Sequence, residues 1–139
     1  MSELLANATC VAIGRRGLLI IGEPGCGKSS LALALIDRGA VLVGDDGMTL
    51  ELVGGRVLAS PPPNIAGLIE VRNVGLITLP TTSAPLALVV KLSRDTQRQP
   101  HAAGIHTMLG QPLPLIALWP DSHALPLRAE HALALYGLA

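Results

Sequence analysis

The chain has 139 residues, half of them hydrophobic and 14% charged, with a formal net charge of zero. That size suits one domain around one core. With balanced charge and with Trp119 and Tyr136 as its only aromatics, the chain offers nothing to a polyanion and lacks stacking groups for single-stranded nucleic acid.

The N-terminus carries no basic region ahead of an apolar stretch, so no signal peptide is expected. The apolar runs are too short and too interrupted to span a bilayer. Cys10 and Cys26 make neither a disulfide framework nor a metal site and read as reduced thiols. The protein therefore reads as soluble and cytoplasmic, and its sparse charge favours self-association.

In chain order, Thr9–Ile13 and residues 18–21 are apolar runs around Gly14-Arg15-Arg16-Gly17, a hairpin pattern. Residues 29–38 read as a helix, with Leu31, Leu33, Leu35 and Ile36 on its apolar face and Gly39 as its stop. Residues 40–44 form an apolar strand ending in Asp45-Asp46. Residues 48–52 and 56–59 flank Val53-Gly54-Gly55 as a second hairpin. Residues 60–64 are a proline-stiffened loop. Leu68–Val71 and residues 76–79 are short strands around Arg72-Asn73-Val74-Gly75, and residues 86–92 are a strong strand. Residues 93–104 read as a polar loop or mobile segment, 113–119 as a last strand and 124–138 as a closing helix. An aliphatic core of this kind favours buried strands flanked by helices, an α/β fold.

Between the first hairpin and the first helix lies Gly22-Glu23-Pro24-Gly25-Cys26-Gly27-Lys28-Ser29, followed by Ser30. It matches the phosphate-loop (P-loop) pattern G-x-x-x-x-G-K-[ST] in full, in strand–loop–helix context. The glycines let the backbone curl and aim N–H groups inward. The helix N-terminus adds its dipole. Lys28 is placed to reach β- and γ-phosphates and Ser29 to ligate Mg²⁺, so a nucleoside triphosphate is the expected ligand. Cys26 reads as a small residue at a variable position.

Asp45 and Asp46 end the strand after this helix, where a parallel arrangement brings carboxylates toward the phosphates. There they would ligate Mg²⁺ or accept a proton, unless they are simply an Asp-Asp-Gly turn. Glu70 and Arg72 are two apart on an expected strand and so project to one face, as a surface ion pair or toward the site. His101, His106, His123 and His131 lack metal-type spacing with acidic neighbours and read as surface or loop residues.

Taken together these motifs resemble the catalytic domain of HPr kinase/phosphorylase, most of all its short alphaproteobacterial forms. The resemblance covers roughly residues 5–93. It rests on the P-loop, the Asp45-Asp46 strand end, and a stretch similar to the family signature L-L-E-[IV]-R-G-x-G-[IL]-[IL]. Here that stretch runs Leu68-Ile69-Glu70-Val71-Arg72-Asn73-Val74-Gly75-Leu76-Ile77.

The resemblance implies a P-loop NTPase-like fold related to phosphoenolpyruvate carboxykinase, a mixed sheet with flanking helices, usually assembled as a homohexamer. It implies ATP and Mg²⁺ as cofactors and a serine of the phosphocarrier HPr, of the phosphotransferase system, as acceptor. Lys28 would bind the transferred phosphates, with Arg72 in the catalytic stretch. Asp45 would be the general base, or the acid in phosphorolysis. Ser29, Asp46 and Glu70 would hold the metal. The sequence departs from the family at Asn7, where a catalytic His is usual, at Ser30, where long members have Glu, and at Asn73, where the signature has Gly. Two other readings share the P-loop: a regulatory module that binds nucleotide without turnover, and a small-molecule kinase, against which stands the lack of an arginine-rich lid.

Overall fold

A computed structural model describes residues 2–64 and 66–139. The chain starts with β1 (Ser2–Ala6), then the hairpin of β2 (Thr9–Ile13) and β3 (Arg16–Gly22), and enters α1 (Lys28–Asp37) through the P-loop. β4 (Val41–Gly44) follows, then the hairpin of β5 (Gly47–Val53) and β6 (Arg56–Ser60). Gly54 and Gly55 turn that hairpin with φ of 56° and 78°, the doubly positive geometry a two-residue turn between right-twisted strands requires. A small separate hairpin, β7 (Leu68–Val71) and β8 (Gly75–Thr78), precedes the long strand β9 (Ala84–Leu92). The hairpin of β10 (Gly104–Met108) and β11 (Gln111–Leu118) and the helix α2 (Leu125–Tyr136) end the chain.

Strand β9 is where the sheet divides. Along one side it pairs in parallel with β3. On the other side its first residues, Ala84 and Pro85, pair antiparallel with β6, and residues 89–92 pair in parallel with β11. The main layer therefore runs β4, β2, β3, β9, β11, β10, and the strip β6, β5, β1 branches from the start of β9.

Alternation along the strands fills two cores. Leu18, Ile20, Leu88 and Val90 belong to a cluster with Leu31, Leu35, Ala129 and Leu133 of the two helices. Leu19, Val43, Leu86 and Val89 belong to a second cluster with Met48, Leu50 and Val57 of the branching strip. Each fully buried Leu or Ile contributes about 1.5–3 kcal/mol. Both helices thus cover the same face, and the other face is covered by strands. A mixed sheet with helices against it was expected, but not helices confined to one side.

The expected elements are present, with two additions. β1 pairs with β5, and β10 begins where the polar stretch 93–104 ends. β4 does not adjoin β3, because β2 lies between them. Since β2 is antiparallel to both, β3 and β4 still point the same way and finish at the same edge. No helix among the described residues is long and apolar enough to cross a membrane.

Candidate functional site

The edge where β3, β4, β9 and β11 end carries the motifs. β3 finishes at Gly22, whose φ of 156° turns the chain out of the sheet. A side chain there would meet Cys26 Sγ at 2.6 Å and the Leu92 carbonyl oxygen at 3.1 Å, so only glycine fits. The Cys26 N–H donates to the Glu23 oxygen at 3.1 Å, and Gly25 and Gly27 take φ of 78° and 103°, which completes the curl. Gly27 caps α1 without any side-chain bond, and no acidic residue stands in the first turn. The first amides of the helix are thus left for an anion. Lys28 Nζ donates to the Gly22 and Glu23 oxygens at 3.1 and 3.2 Å, holding its ammonium across the mouth of the loop. Glu23, Pro24, Gly25 and Ser30 are exposed, and Cys26 is half-buried.

Asp45 is the hub of the opposite wall. Ser29 Oγ donates to Asp45 Oδ1 at 2.5 Å, and Thr9 Oγ1 donates to the same oxygen at 3.1 Å. The Glu70 N–H donates to Oδ2 at 3.3 Å. Thr9 is buried and anchored in β2, so it fixes the carboxylate to the sheet. Asp46 is exposed, with φ of 59°, and its carbonyl accepts the Asn7 N–H at 3.2 Å. Asn7 itself has φ of 61°, a conformation that Asn and Asp tolerate best after Gly. The aspartate hydrogen-bonded to the P-loop serine is thus Asp45, with Asp46 turned outward beside it.

Ile69, fully buried in the helix-side core, anchors the β7–β8 hairpin and brings Glu70 to Asp45. Arg72 does not share a strand face with Glu70, as the spacing had suggested. β7 stops at Val71, the Val74 N–H returns to the Val71 oxygen at 2.9 Å, and Asn73 takes φ of 68°. Arg72 therefore projects from an exposed turn, over a shallow depression of about 300 Å³.

A second hollow of about 690 Å³ opens on the other flank of the P-loop. Asn7, Gly22 and Cys26 line one side, and Lys91, Arg94 and Pro120 the other. Sequence reasoning passed over Lys91 and gave Arg94 no role. The only signal for them is that β9 runs parallel beside β3, which no local pattern reveals. Of the four histidines, His106 is half-buried in β10 and the rest are exposed. Among the described residues no three His, Cys, Asp or Glu side chains cluster as a metal site. Of the expected metal ligands only Ser29 lies against a carboxylate, that of Asp45. Asp46 and Glu70 are exposed, and Glu70 meets Asp45 through its backbone N–H. A hard cation would thus find two oxygens together at the loop and take the rest from phosphate, water or a reoriented carboxylate. Cys10 plays no part here: burial pushes its thiol up to about 12.

A family model described as HPr Serine kinase C-terminal domain matches residues 2–99. An HPr kinase/phosphorylase from Clostridium tetani is 45% identical over 65 residues, 47% of this chain and 21% of its own length. One from Bordetella petrii is 38% identical over 116 residues, 73% of this chain and 38% of its own length. The chain thus spans well under half the length of these curated relatives. A solved structure of the Hpr(Ser) kinase/phosphatase from Coxiella burnetii superposes with a TM-score of 0.83 at 28% identity, covering 95% of this chain and 88% of that one.

Proposed function

Because the chain belongs to the HPr serine kinase C-terminal domain family, we propose that it is an ATP- and Mg²⁺-dependent protein kinase acting on a serine of HPr. The observation that carries this reading is the 2.5 Å bond from Ser29 Oγ to Asp45 Oδ1, which stands a carboxylate at the mouth of the P-loop. A P-loop alone only holds a triphosphate. A fixed carboxylate at its mouth can also take the proton of an attacking hydroxyl.

The roles follow from position. The curled amides from Gly22 to Ser29, with Lys28, hold the β- and γ-phosphates. Asp45 accepts the proton of the acceptor serine as its oxygen bonds to the γ-phosphorus and the bond to the departing ADP breaks. Thr9 and the Glu70 amide orient the carboxylate for that task. Ser29, Asp46 and Glu70 would hold Mg²⁺, which when bound neutralises phosphate charge. Arg72, exposed on its turn, meets the acceptor protein or its phosphate. The phosphoenolpyruvate carboxykinase-like P-loop fold, a cytoplasmic setting and a homo-oligomer, hexameric by resemblance, belong to the same reading. Exposed Leu4, Val74, Leu76, Ile105 and Leu135 leave apolar surface for such assembly.

The test is mass spectrometry of HPr after incubation with ATP, Mg²⁺ and either the protein or its Asp45→Asn variant. Phosphoserine that appears only with the unaltered protein supports the kinase. Unmodified HPr in both samples removes it. One observation favours a second reading, a nucleotide-binding regulatory module. Asn7, in the hollow beside the P-loop, has a side chain that cannot exchange a proton at neutral pH. The same residue counts against the reverse reaction, in which inorganic phosphate attacks phosphoserine and yields pyrophosphate. Tight ATP binding with no transfer to HPr is the outcome expected of such a module.

A further inference from the structure

The hollow on the far flank of the P-loop is lined by two basic residues that the proposed reaction leaves without a task. The register of β9 against β3 places Lys91 beside Ile21 and Leu92 beside Gly22. The chain leaving β9 therefore starts at the shoulder of the first P-loop residue. Val90 and Leu92 are buried on the helix side of the sheet, and Lys91 between them is exposed and opens into the hollow. Among the described residues Lys91 makes no ion pair.

Three residues on, Arg94 also lines the hollow. Its guanidinium donates to Asp121 Oδ2 and lies 5.7 Å from the centroid of the Trp119 ring. The side chains of Arg94 and Asp121 are 62% and 52% exposed, so the pair is weak and can be exchanged. A phosphate is the better partner, because it carries more charge and can take two parallel N–H bonds, whereas Asp121 takes one from Arg94. Glu23, on the P-loop side, is the one carboxylate lining this hollow. With Asp121 paired to Arg94 the charges balance, and the wall turns net positive only when the aspartate is displaced.

We propose that Lys91 and Arg94 form a second phosphate-binding wall facing the P-loop, and that Asp121 and Trp119 hold Arg94 aside until a phosphate displaces the aspartate. The inference rests on the reading of Gly22–Ser29 as a nucleotide site and adds to it a cationic partner from β9. The phosphate is either a further group of the same nucleotide or one delivered separately, and the titrations below distinguish the two.

The experiment uses the full chain and its Lys91→Ala, Arg94→Ala, Asp121→Ala and Lys28→Ala variants, titrated calorimetrically with Mg-ATP. Trp119, the single tryptophan, is followed by fluorescence in parallel. If the phosphate is the nucleotide's own, Lys91→Ala and Arg94→Ala each weaken ATP binding about five- to tenfold, the exposed end of the range for bonds to charged groups. Asp121→Ala, which frees Arg94, tightens it about two- to fivefold. ATP addition shifts Trp119 emission in the unaltered chain and not in Arg94→Ala. If the phosphate arrives separately, ATP affinity is unchanged and the losses and the tightening appear with inorganic phosphate titrated into protein saturated with ADP.

Equal affinities for both probes in all chains except Lys28→Ala overturn the second wall and leave the P-loop reading intact. Weaker binding in Asp121→Ala overturns the holding role of Asp121. An unaltered chain that binds neither ATP nor ADP brings down the nucleotide reading, and this inference with it.

Discussion

Removing the Asp45 carboxylate should cost both stability and chemistry, and the two losses separate by choice of variant. Asp45→Ala strips the acceptor from Ser29, Thr9 and the Glu70 amide at once. Thr9 is 1% exposed, so its hydroxyl is left buried without a partner, at about 1–3 kcal/mol. Ser29 and Glu70 lie nearer the surface and recover water, which adds about 0.5 kcal/mol each. The expected loss is about 2–4 kcal/mol, a large share of the 5–15 kcal/mol typical of a domain.

Asp45→Asn keeps an oxygen for the two hydroxyls but turns an amide N–H toward the Glu70 N–H, for a smaller loss of about 1 kcal/mol. It should still bind ATP and no longer phosphorylate HPr. The assay is urea unfolding of Asp45→Ala, Thr9→Val and the double variant. Because Thr9→Val removes the same bond without changing shape, the double variant should be about 1–2 kcal/mol more stable than the sum of the single losses predicts. Strict additivity, or an unchanged midpoint in Asp45→Ala, would refute the hub.

Lys28→Ala should lower ATP affinity by roughly two orders of magnitude while shifting the urea midpoint little, since its present partners are two P-loop carbonyls near solvent. Gly22→Ala should disrupt nucleotide binding by pushing Cys26 and the Leu92 carbonyl apart. Adding Cys26→Ala should restore only part of the affinity, because the carbonyl contact at 3.1 Å remains. Cys10 has a folded pKa of about 12 against an ordinary 9.0. The folded state therefore holds its proton more tightly, and this contribution is complete below pH 9 and lost as pH rises from 9 toward 12. The slope is at most about 1.4 kcal/mol per pH unit. Urea midpoints of the unaltered chain should thus fall more steeply than those of Cys10→Ala above pH 9, and parallel curves would count against it.

Much of the site was legible because its chemistry is local. The P-loop glycines and the Gly54-Gly55 turn announce backbone geometry directly, and the Asp45 strand end needed only a shared strand direction. The sequence did not reveal that β2 separates β4 from β3, yet the antiparallel step on each side preserved the consequence. Arg72 was misplaced because alternation was extended past Val71 into a turn set by Asn73. β1 and β10 were missed for a common reason. They are edge strands with largely exposed side chains, held by backbone pairing, and so show little apolar period. Lys91 and Arg94 were beyond reach, because their relevance depends on β9 lying against β3.

That same pairing bears on how the protein is made. Residues 17–22 find their parallel partners only in residues 86–92, so a ribosome has synthesised every motif of the nucleotide site before it makes the strand that flanks the loop. A nascent chain stopped ahead of Ala84 would carry the complete signature and grip no nucleotide. Parallel closure over such a span is slow compared with the neighbouring hairpins, and ligand competence should therefore emerge as the final event of maturation.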